Sequence, residues 1–523
     1  MSEFSRRDFL RSAGVVGAAA AAASLVGCKK EEPAPAAPVD PVTWAEEADV
    51  VIIGCGFAGL AAAKVAAIDN GAKVIIIEKA PENRAGGSSR TNGAFIGRMA
   101  DDYYKSNSFG VIDQDLIDRM KENYPDIIEW ITGPCGVEIG PGECVIGFGE
   151  ACWNGMYGQL KNNENITWHF AEPATKIIKG DNGEVRGVEA TPEGGASKNY
   201  KAKKGVIMCT GTYCSNPDMI WSAHFPKLPY ASCTSPYNTG DGILLAADAG
   251  GAVMKNIALS YDLFGYAMRK ASEEVGSAMV QEDFNWMAPD KKWSHSRIFV
   301  NREGKRFMPE DMTTVHSRTT FPFLYFNDKA GKTKGYVNLP MWGIYDQRTL
   351  DSGCLWHVDK WTWARTFDLA TWSDNNMAEV DKGWILKADS IEELAAKMVS
   401  TDPLTDEKVT VDAEGLKATI DEYNKNCEAG VDPLGKAADA LKGIYGPPYY
   451  AIELEPCLGY TTSGVTVDSN GQVVTWYDKP IPRFFAAGDV AQSMRTSMLL
   501  MSGVLTRGMI AAEEVLKLED WKL

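Results

Sequence analysis

Three glycines and one carboxylate carry the first chemistry visible in this chain. Gly54, Gly56 and Gly59 form a GxGxxG turn that opens an alanine-rich stretch. In such a turn the first glycine permits the tight bend and the second lets a pyrophosphate approach the backbone. The third lets the following helix pack closely on its strand. The helix N-terminus then offers free N–H groups and a positive dipole end to an anion. Glu78 closes a second apolar run, where a carboxylate accepts hydrogen bonds from ribose hydroxyls. A bare GxGxxG is weak evidence, so its context decides. Residues 50–53 and 73–77 are short β-branched runs, the mark of strands buried on both faces, and a helix is expected through Ala67 between them.

Four further segments bring glycine, hydroxyl or acid to a loop, the second and fourth from an apolar strand and the third ahead of a helix. They are Gly86-Gly87-Ser88-Ser89-Arg90-Thr91-Asn92-Gly93, Val206-Ile207-Met208-Cys209-Thr210-Gly211, Asn238-Thr239-Gly240-Asp241-Gly242 and Phe484-Phe485-Ala486-Ala487-Gly488-Asp489. Each alone reads equally well as a structural turn. In this order they suit a long dinucleotide with a flavin at its far end, which favours FAD over NAD.

A chain of 523 residues with 45% apolar and 24% charged residues has room for two folded units plus short appendages. Its formal net charge of −17 repels phosphate backbones and argues against nucleic acid as a partner. The eleven cysteines form no CxxC or CxxCH pattern, and the five histidines are dispersed, so no metal site is expected. Cys135, Cys144 and Cys152 come closest to a cluster and read as buried thiols. Ser5-Arg6-Arg7-Asp8-Phe9-Leu10 is a twin-arginine signature, and residues 13–27 form an apolar run too short to span a bilayer comfortably. That run ends in Leu25-Val26-Gly27-Cys28, which resembles a lipobox with Cys28 as the acylated residue; the other reading is cleavage within the alanines. Residues 1–28 are thus a signal, and 29–44, rich in Lys, Glu, Pro and Ala at their start, a tether. The expected location is periplasmic or cell-surface, with the membrane touched only through a lipid at Cys28. The twin-arginine route carries folded proteins, commonly with cofactors already loaded.

From about residue 46 to 515 the chain resembles the flavoprotein family of soluble fumarate reductases and succinate dehydrogenase flavoprotein subunits, which also holds urocanate reductases and ketosteroid dehydrogenases. The segments above carry the resemblance, together with Ile298-Phe299-Val300-Asn301-Arg302-Glu303-Gly304-Lys305-Arg306-Phe307, similar to the family's hairpin at the substrate site, and a closing helix at 508–515. It implies an α/β fold: a Rossmann-like FAD-binding domain from 45–255 and 441–523, with an inserted α+β capping domain at 256–440. Gly54, Gly56, Gly59 and Glu78 would hold the ADP half, and Ala174 would meet the adenine through its backbone. Ser88, Ser89, Asn92 and Gly93 would line the flavin, and Asp241 and Asp489 the ribityl and pyrophosphate side. Lys79, Gly87, Thr210, Gly211, Gly488, Leu500 and Met501 complete the cofactor set. No histidine stands between Glu78 and His169, so attachment should be non-covalent.

The same resemblance implies an enzyme acting on a CH–CH bond. Arg495 matches the family's carboxylate-clamping arginine. The place of the proton-delivering arginine, counted from Phe307, holds Thr314; His316 and Arg318 stand nearby, and Arg318 serves only if the local alignment shifts. The substrate-binding histidine pair is replaced by Gly459-Tyr460, and Tyr460 has the chemistry to donate a proton or bind a carbonyl. The loop between Asp489 and Arg495 is shorter than in fumarate reductases. These departures argue against fumarate and towards another small-molecule unsaturated carboxylate or enone, larger and more aromatic than fumarate. A run with Trp356, Trp361 and Trp363 reads more readily as packing than as a pocket wall. With no haem motif and no second flavin domain, electrons are expected from a separate cytochrome or quinol-linked protein. A dehydrogenase running the other way is the first alternative, and a flavin- or ligand-binding lipoprotein without turnover the second.

Overall fold

Strands made only of valine and isoleucine have no polar face to show to water, and the first sheet is built around them. The computed structural model describes residues 42–97, 114–223, 229–254, 262–280, 296–310, 326–327, 335–356, 360–461, 463–491 and 500–521. The first sheet runs in the order Gln472–Val474, Pro480–Ala486, Lys198–Met208, Glu46–Ile53, Val74–Ile77 and Ile166–His169. All of these pairings are parallel except the first. Ala174–Lys179 and Val185–Ala190 join as an antiparallel extension of Lys198–Met208. Val50, Val51 and Ile52 are fully buried, so water cannot reach either face of the central strand.

Register decides where the chemistry sits. Ile53 lies opposite both Ile77 and Met208, and Ala486 opposite Met208. The loops that begin at Gly54, Glu78, Cys209 and Ala487 therefore leave the sheet along one edge, at the carboxyl ends of parallel strands, where open α/β sheets bind their ligands.

The helix after the glycine turn, Phe57–Ala63, continues as a wider π-helical segment, Lys64–Asp69, rather than staying α-helical through Ala67. Asn70 ends it by donating its side-chain N–H to the Val65 carbonyl at 2.8 Å. The last long helix, Met501–Leu516, lies against Phe57–Ala63.

A second sheet runs Leu386–Ala388, Tyr449–Tyr460, Met341–Asp346 and Arg297–Val300, with Ala231–Ser232 and Asp262–Met268 also paired to Tyr449–Tyr460. The long strand Tyr449–Tyr460, from the part of the chain after residue 441, thus belongs to this sheet. The hairpin expected at 298–307 is present: Val300 bridges Arg306, and the Asn301 N–H donates to the Lys305 carbonyl at 3.0 Å. One apolar core joins the two sheets, from Val51 and Tyr200 to Phe299, Tyr345 and Tyr450. Trp356, Trp361 and Trp363 are buried, and the Arg365 guanidinium lies 3.7 Å from the centre of the Trp356 ring.

The hairpin is locked by a buried ion cluster. Arg306 bonds Glu310 at 2.8 Å and Asp432 at 2.7 Å, and Lys436 stands 3.2 Å from Glu310. Glu310 is fully buried and also accepts the Phe299 N–H at 3.1 Å. Burial opposes its ionisation, but Lys436 and Arg306 outweigh that and hold its carboxyl below the usual range. Replacing Glu310 by Ala leaves buried Lys436 without its ion-pair partner and Arg306 with Asp432 alone, so Glu310→Ala should destabilise the protein by about 3–5 kcal/mol. A thermal melt followed by tryptophan fluorescence checks this; a change within error of the wild type would contradict the structural role of the cluster.

Candidate active site and cofactor cavity

At the edge where the loops leave the first sheet lies a cavity with about 810 Å³ of empty space counted to its mouth. The glycine turn forms its floor. Gly54 has φ +95°, and a Cβ there would stand 2.5 Å from the Cys209 carbonyl oxygen. A Cβ on Gly59 would stand 2.1 Å from the Gly54 carbonyl oxygen, so the helix can reach the strand only as glycine. Gly54 and Gly56 are on the cavity wall, while Gly59 acts from behind it. The Phe57 N–H donates to the Ser89 hydroxyl at 2.8 Å, which joins the first glycine loop to the second.

Glu78 lies at one end of the cavity. Its carboxylate accepts from the Cys55 N–H at 3.1 Å, the Cys55 thiol at 3.3 Å and the Ala80 N–H at 2.8 Å. A carboxylate has about four acceptor positions, so capacity is left for a hydroxyl. Burial, and then Glu78, push the Cys55 thiol well above its usual range, so it stays a donor. Lys79 turns to Asp241, with Nζ to carboxylate at 2.7 Å, and also donates to the Thr239 hydroxyl. Ala174 is on the wall, and Asp241, expected on the ribityl and pyrophosphate side, is on it too, held beside Glu78 through Lys79.

Gly87, Ser88, Ser89, Thr210, Gly211, Gly488 and Asp489 are also on the wall, brought together from three separate loops. Asn92 is placed behind them: its amide donates to the Ser88 and Ser89 carbonyls, both at 2.8 Å, and shapes the loop without lining the cavity. Gly93 is likewise off the wall. Leu500 caps the helix Met501–Leu516 and packs on Gly97, and the Met501 N–H donates to Phe95 at 3.2 Å. These last two residues close a neighbouring strap, and Val504 is the residue of that helix on the wall.

Sequence reasoning missed Asn238 and Tyr237. Asn238 is buried, lines the cavity, and donates to the Ser88 hydroxyl and to Thr212 at 3.2 Å. Its signal was present, since it opens the segment from which only Asp241 was chosen. Tyr237 meets Trp363 edge-on at 6.2 Å and so ties the wall to the tryptophan-rich segment. Of the catalytic candidates, Arg495, His316 and Arg318, with Thr314, lie outside the described residues. Tyr460 ends the strand Tyr449–Tyr460, where its backbone pairs with Asp262.

Two observations test whether this cavity fits a dinucleotide. The Thr210 hydroxyl is buried, is on the wall, and has no hydrogen-bond partner among the described residues. Asp489 is buried enough that desolvation, opposed by Arg507, pushes its carboxyl up to about 6. The Thr210 hydroxyl is left wanting a partner, as expected where polar ligand atoms belong.

Comparison with known proteins agrees. A family described as "FAD binding domain" matches residues 141–503, and one described as "FAD dependent oxidoreductase" matches 49–212. The chain belongs to the FAD-binding family. It is an FAD-dependent oxidoreductase, and residues 3–23 match a twin-arginine translocation signal, which marks this flavoprotein for export to the periplasm or cell surface. A fumarate reductase (cytochrome) of Shewanella frigidimarina is 25% identical, over 90% of this chain and 77% of that protein. A urocanate reductase of Eggerthella lenta is 26% identical, over 88% of this chain and 72% of that one. The crystal structure of a 3-ketosteroid delta1-dehydrogenase from Sterolibacterium denitrificans superposes with a TM-score of 0.69 at 17% identity, over 90% of this chain and 99% of that one. That likeness shows the fold: a Rossmann-like FAD domain with a capping domain.

Two outcomes follow for the flavoprotein. Glu78→Gln removes the charge from a hydrogen bond worth about 1.5–3 kcal/mol, so FAD affinity should fall roughly ten- to hundredfold. Fluorescence titration of the FAD-free protein measures it. Asp489 has a folded pKa of about 6, raised from 3.8, so its contribution to stability is complete below 3.8 and is lost as pH rises through about 6. The FAD-free wild type should therefore lose melting temperature relative to Asp489→Asn between those pH values, and parallel curves would rule this account out.

Proposed function

We propose that this flavoprotein is an extracytoplasmic reductase of an activated C=C bond in an α,β-unsaturated carboxylate or enone. Electrons reach it from a separate cytochrome or quinol-linked protein. The reading is carried by one observation: reductases acting on fumarate and on urocanate are similar to it along about nine tenths of its length. Non-covalent attachment of FAD is part of the proposal, as is a lipid on Cys28.

Bound FAD supplies two-electron hydride chemistry. The residues of the chain do the rest. In this reading Gly54, Gly56, Glu78 and Ala174 hold the adenosine half, and Ser88, Ser89 and Asp489 hold the flavin half. Asp241 is fixed by Lys79 beside the adenosine half. Residues 256–440 form the cap, joined by Tyr449–Tyr460 through the second sheet, and exclude water from the reacting bond. Arg495 clamps the substrate carboxylate or carbonyl oxygen, stabilising charge that develops there. Tyr460, where fumarate reductases carry a histidine, protonates the α-carbon or holds a carbonyl, and His316 and Arg318 are the other proton sources to compare. Gly459 leaves room beside Tyr460, which favours a substrate larger than fumarate.

The same site can run as a dehydrogenase, and the fold shared with a ketosteroid dehydrogenase keeps that reading second.

Anaerobic reoxidation of the dithionite-reduced protein by fumarate, urocanate, cinnamates and steroid enones tests the proposal. Rapid recovery of flavin absorbance with one class is expected; recovery with none, together with bleaching of the oxidised protein by a saturated ketosteroid, would establish the dehydrogenase instead. Arg495→Ala should keep FAD and lower kcat/KM by roughly 10²–10³. Unchanged kinetics would remove Arg495 from the site.

A further inference from the structure

A second cavity, with about 1140 Å³ of empty space counted to its mouth, shares no lining residue with the first. It lies where the strand Tyr449–Tyr460 passes the helix Arg269–Val275 and the segment 229–236. Two polar side chains on its wall lack partners. Glu455 is 8% exposed, and its carboxyl makes no hydrogen bond among the described residues. The Ser277 hydroxyl is buried and likewise unpaired. Native proteins rarely leave such groups unsatisfied, so each calls for a ligand or a strain account.

The charge around them selects the ligand. Among the described residues Arg269 is the single cation on the wall, and it is already committed: it donates to Glu273 at 3.0 Å and to Glu453 at 2.9 Å. Three carboxyls thus share one guanidinium, and Glu455 is the one left out. Cys214 and Tyr230, the other titratable groups on the wall, are both pushed up by burial and stay neutral. An anion would meet Glu273 and Glu455 with no free cation to hold it. The wall also carries Trp221, Tyr230, Pro217 and Pro229. Aromatic faces favour a cation above them.

We propose that this cavity binds a primary organic ammonium ion, with its N–H groups on Glu455 and Ser277 and its carbon body against Trp221 and Tyr230. The site shares no lining residue with the FAD cavity. Occupation has a proton signature. With the cavity free of a cation, burial, opposed by Arg269 and reinforced by Glu273 and Glu453, pushes the Glu455 carboxyl up to about 8, so it is mostly protonated at neutral pH. An incoming ammonium stabilises the carboxylate, and the proton leaves to solvent.

The test is isothermal titration of the FAD-loaded, full-length protein with benzylammonium chloride at pH 7, in phosphate and in HEPES. Saturable binding at one site is expected, with a heat that differs between the buffers as release of a proton requires. Benzyl alcohol, of similar shape but uncharged, should not bind. Glu455→Gln should weaken binding roughly tenfold or more while the flavin spectrum and melting temperature stay as in the wild type. Should Glu455→Gln disturb the spectrum or melting, Ser277→Ala decides, with several-fold weakening expected. Absence of saturation, equal heats in the two buffers, equal binding of benzyl alcohol, or full affinity in the deciding variant would each overturn the proposal.

Discussion

The structure depends on a crossing where no side chain fits. The helix Phe57–Ala63 is held on one side by Gly59, whose Cβ would collide with the Gly54 carbonyl, and on the other by Gly508, whose Cβ would stand 2.2 Å from the Ala58 carbonyl oxygen. Backbone thus meets backbone on both faces of a short helix that is buried along its whole length. The first contact fixes the angle at which the helix leaves the sheet, and so the direction of its free N–H groups. The second brings Met501–Leu516 close enough for Val504 to reach the cavity wall. A methyl group at either glycine would push the two layers apart and open the floor of the site.

Around that crossing, several polar groups of the site are held by other protein groups. Glu78 has its thiol and N–H donors, Lys79 has Asp241, and Asn92 clamps two carbonyls of the neighbouring loop. The Thr210 hydroxyl stands out against this background. Further away, the ion cluster of Arg306, Glu310, Asp432 and Lys436 shows the alternative solution, in which buried charges satisfy one another and need no ligand. The contrast between a completed and an incomplete network separates structural from functional polarity in this protein.

The cofactor cavity was legible in the sequence because its chemistry restricts residue type at fixed spacing. Gly54, Gly56, Glu78, Ser88, Thr210, Asp241 and Asp489 stand on one wall although they come from six segments of the chain. Residues whose work is indirect were harder to read. Nothing local in Asn92 tells a loop clamp from a wall residue, and Asn238 declares itself only through Ser88 and Thr212, which are far from it along the chain. The second sheet was opaque for the same reason. Its central strand, Tyr449–Tyr460, pairs with segments beginning at 231, 262, 341 and 386, and periodicity within a strand says nothing about so distant a partner. The tryptophans at 356, 361 and 363 turned out to be packing, as their lack of any link to a loop motif suggested.

One consequence follows from where the walls of the cavity come from. Its floor is made of residues 53–58, but the opposite side needs Ala487, Gly488, Asp489 and Val504. A ribosome delivers those residues more than four hundred positions after the glycine turn, so until then the nascent chain carries a dinucleotide turn with no chamber to go with it. The flavin can be enclosed only once the C-terminal helix has docked. A protein that crosses the membrane already folded must therefore complete this docking on the inner side.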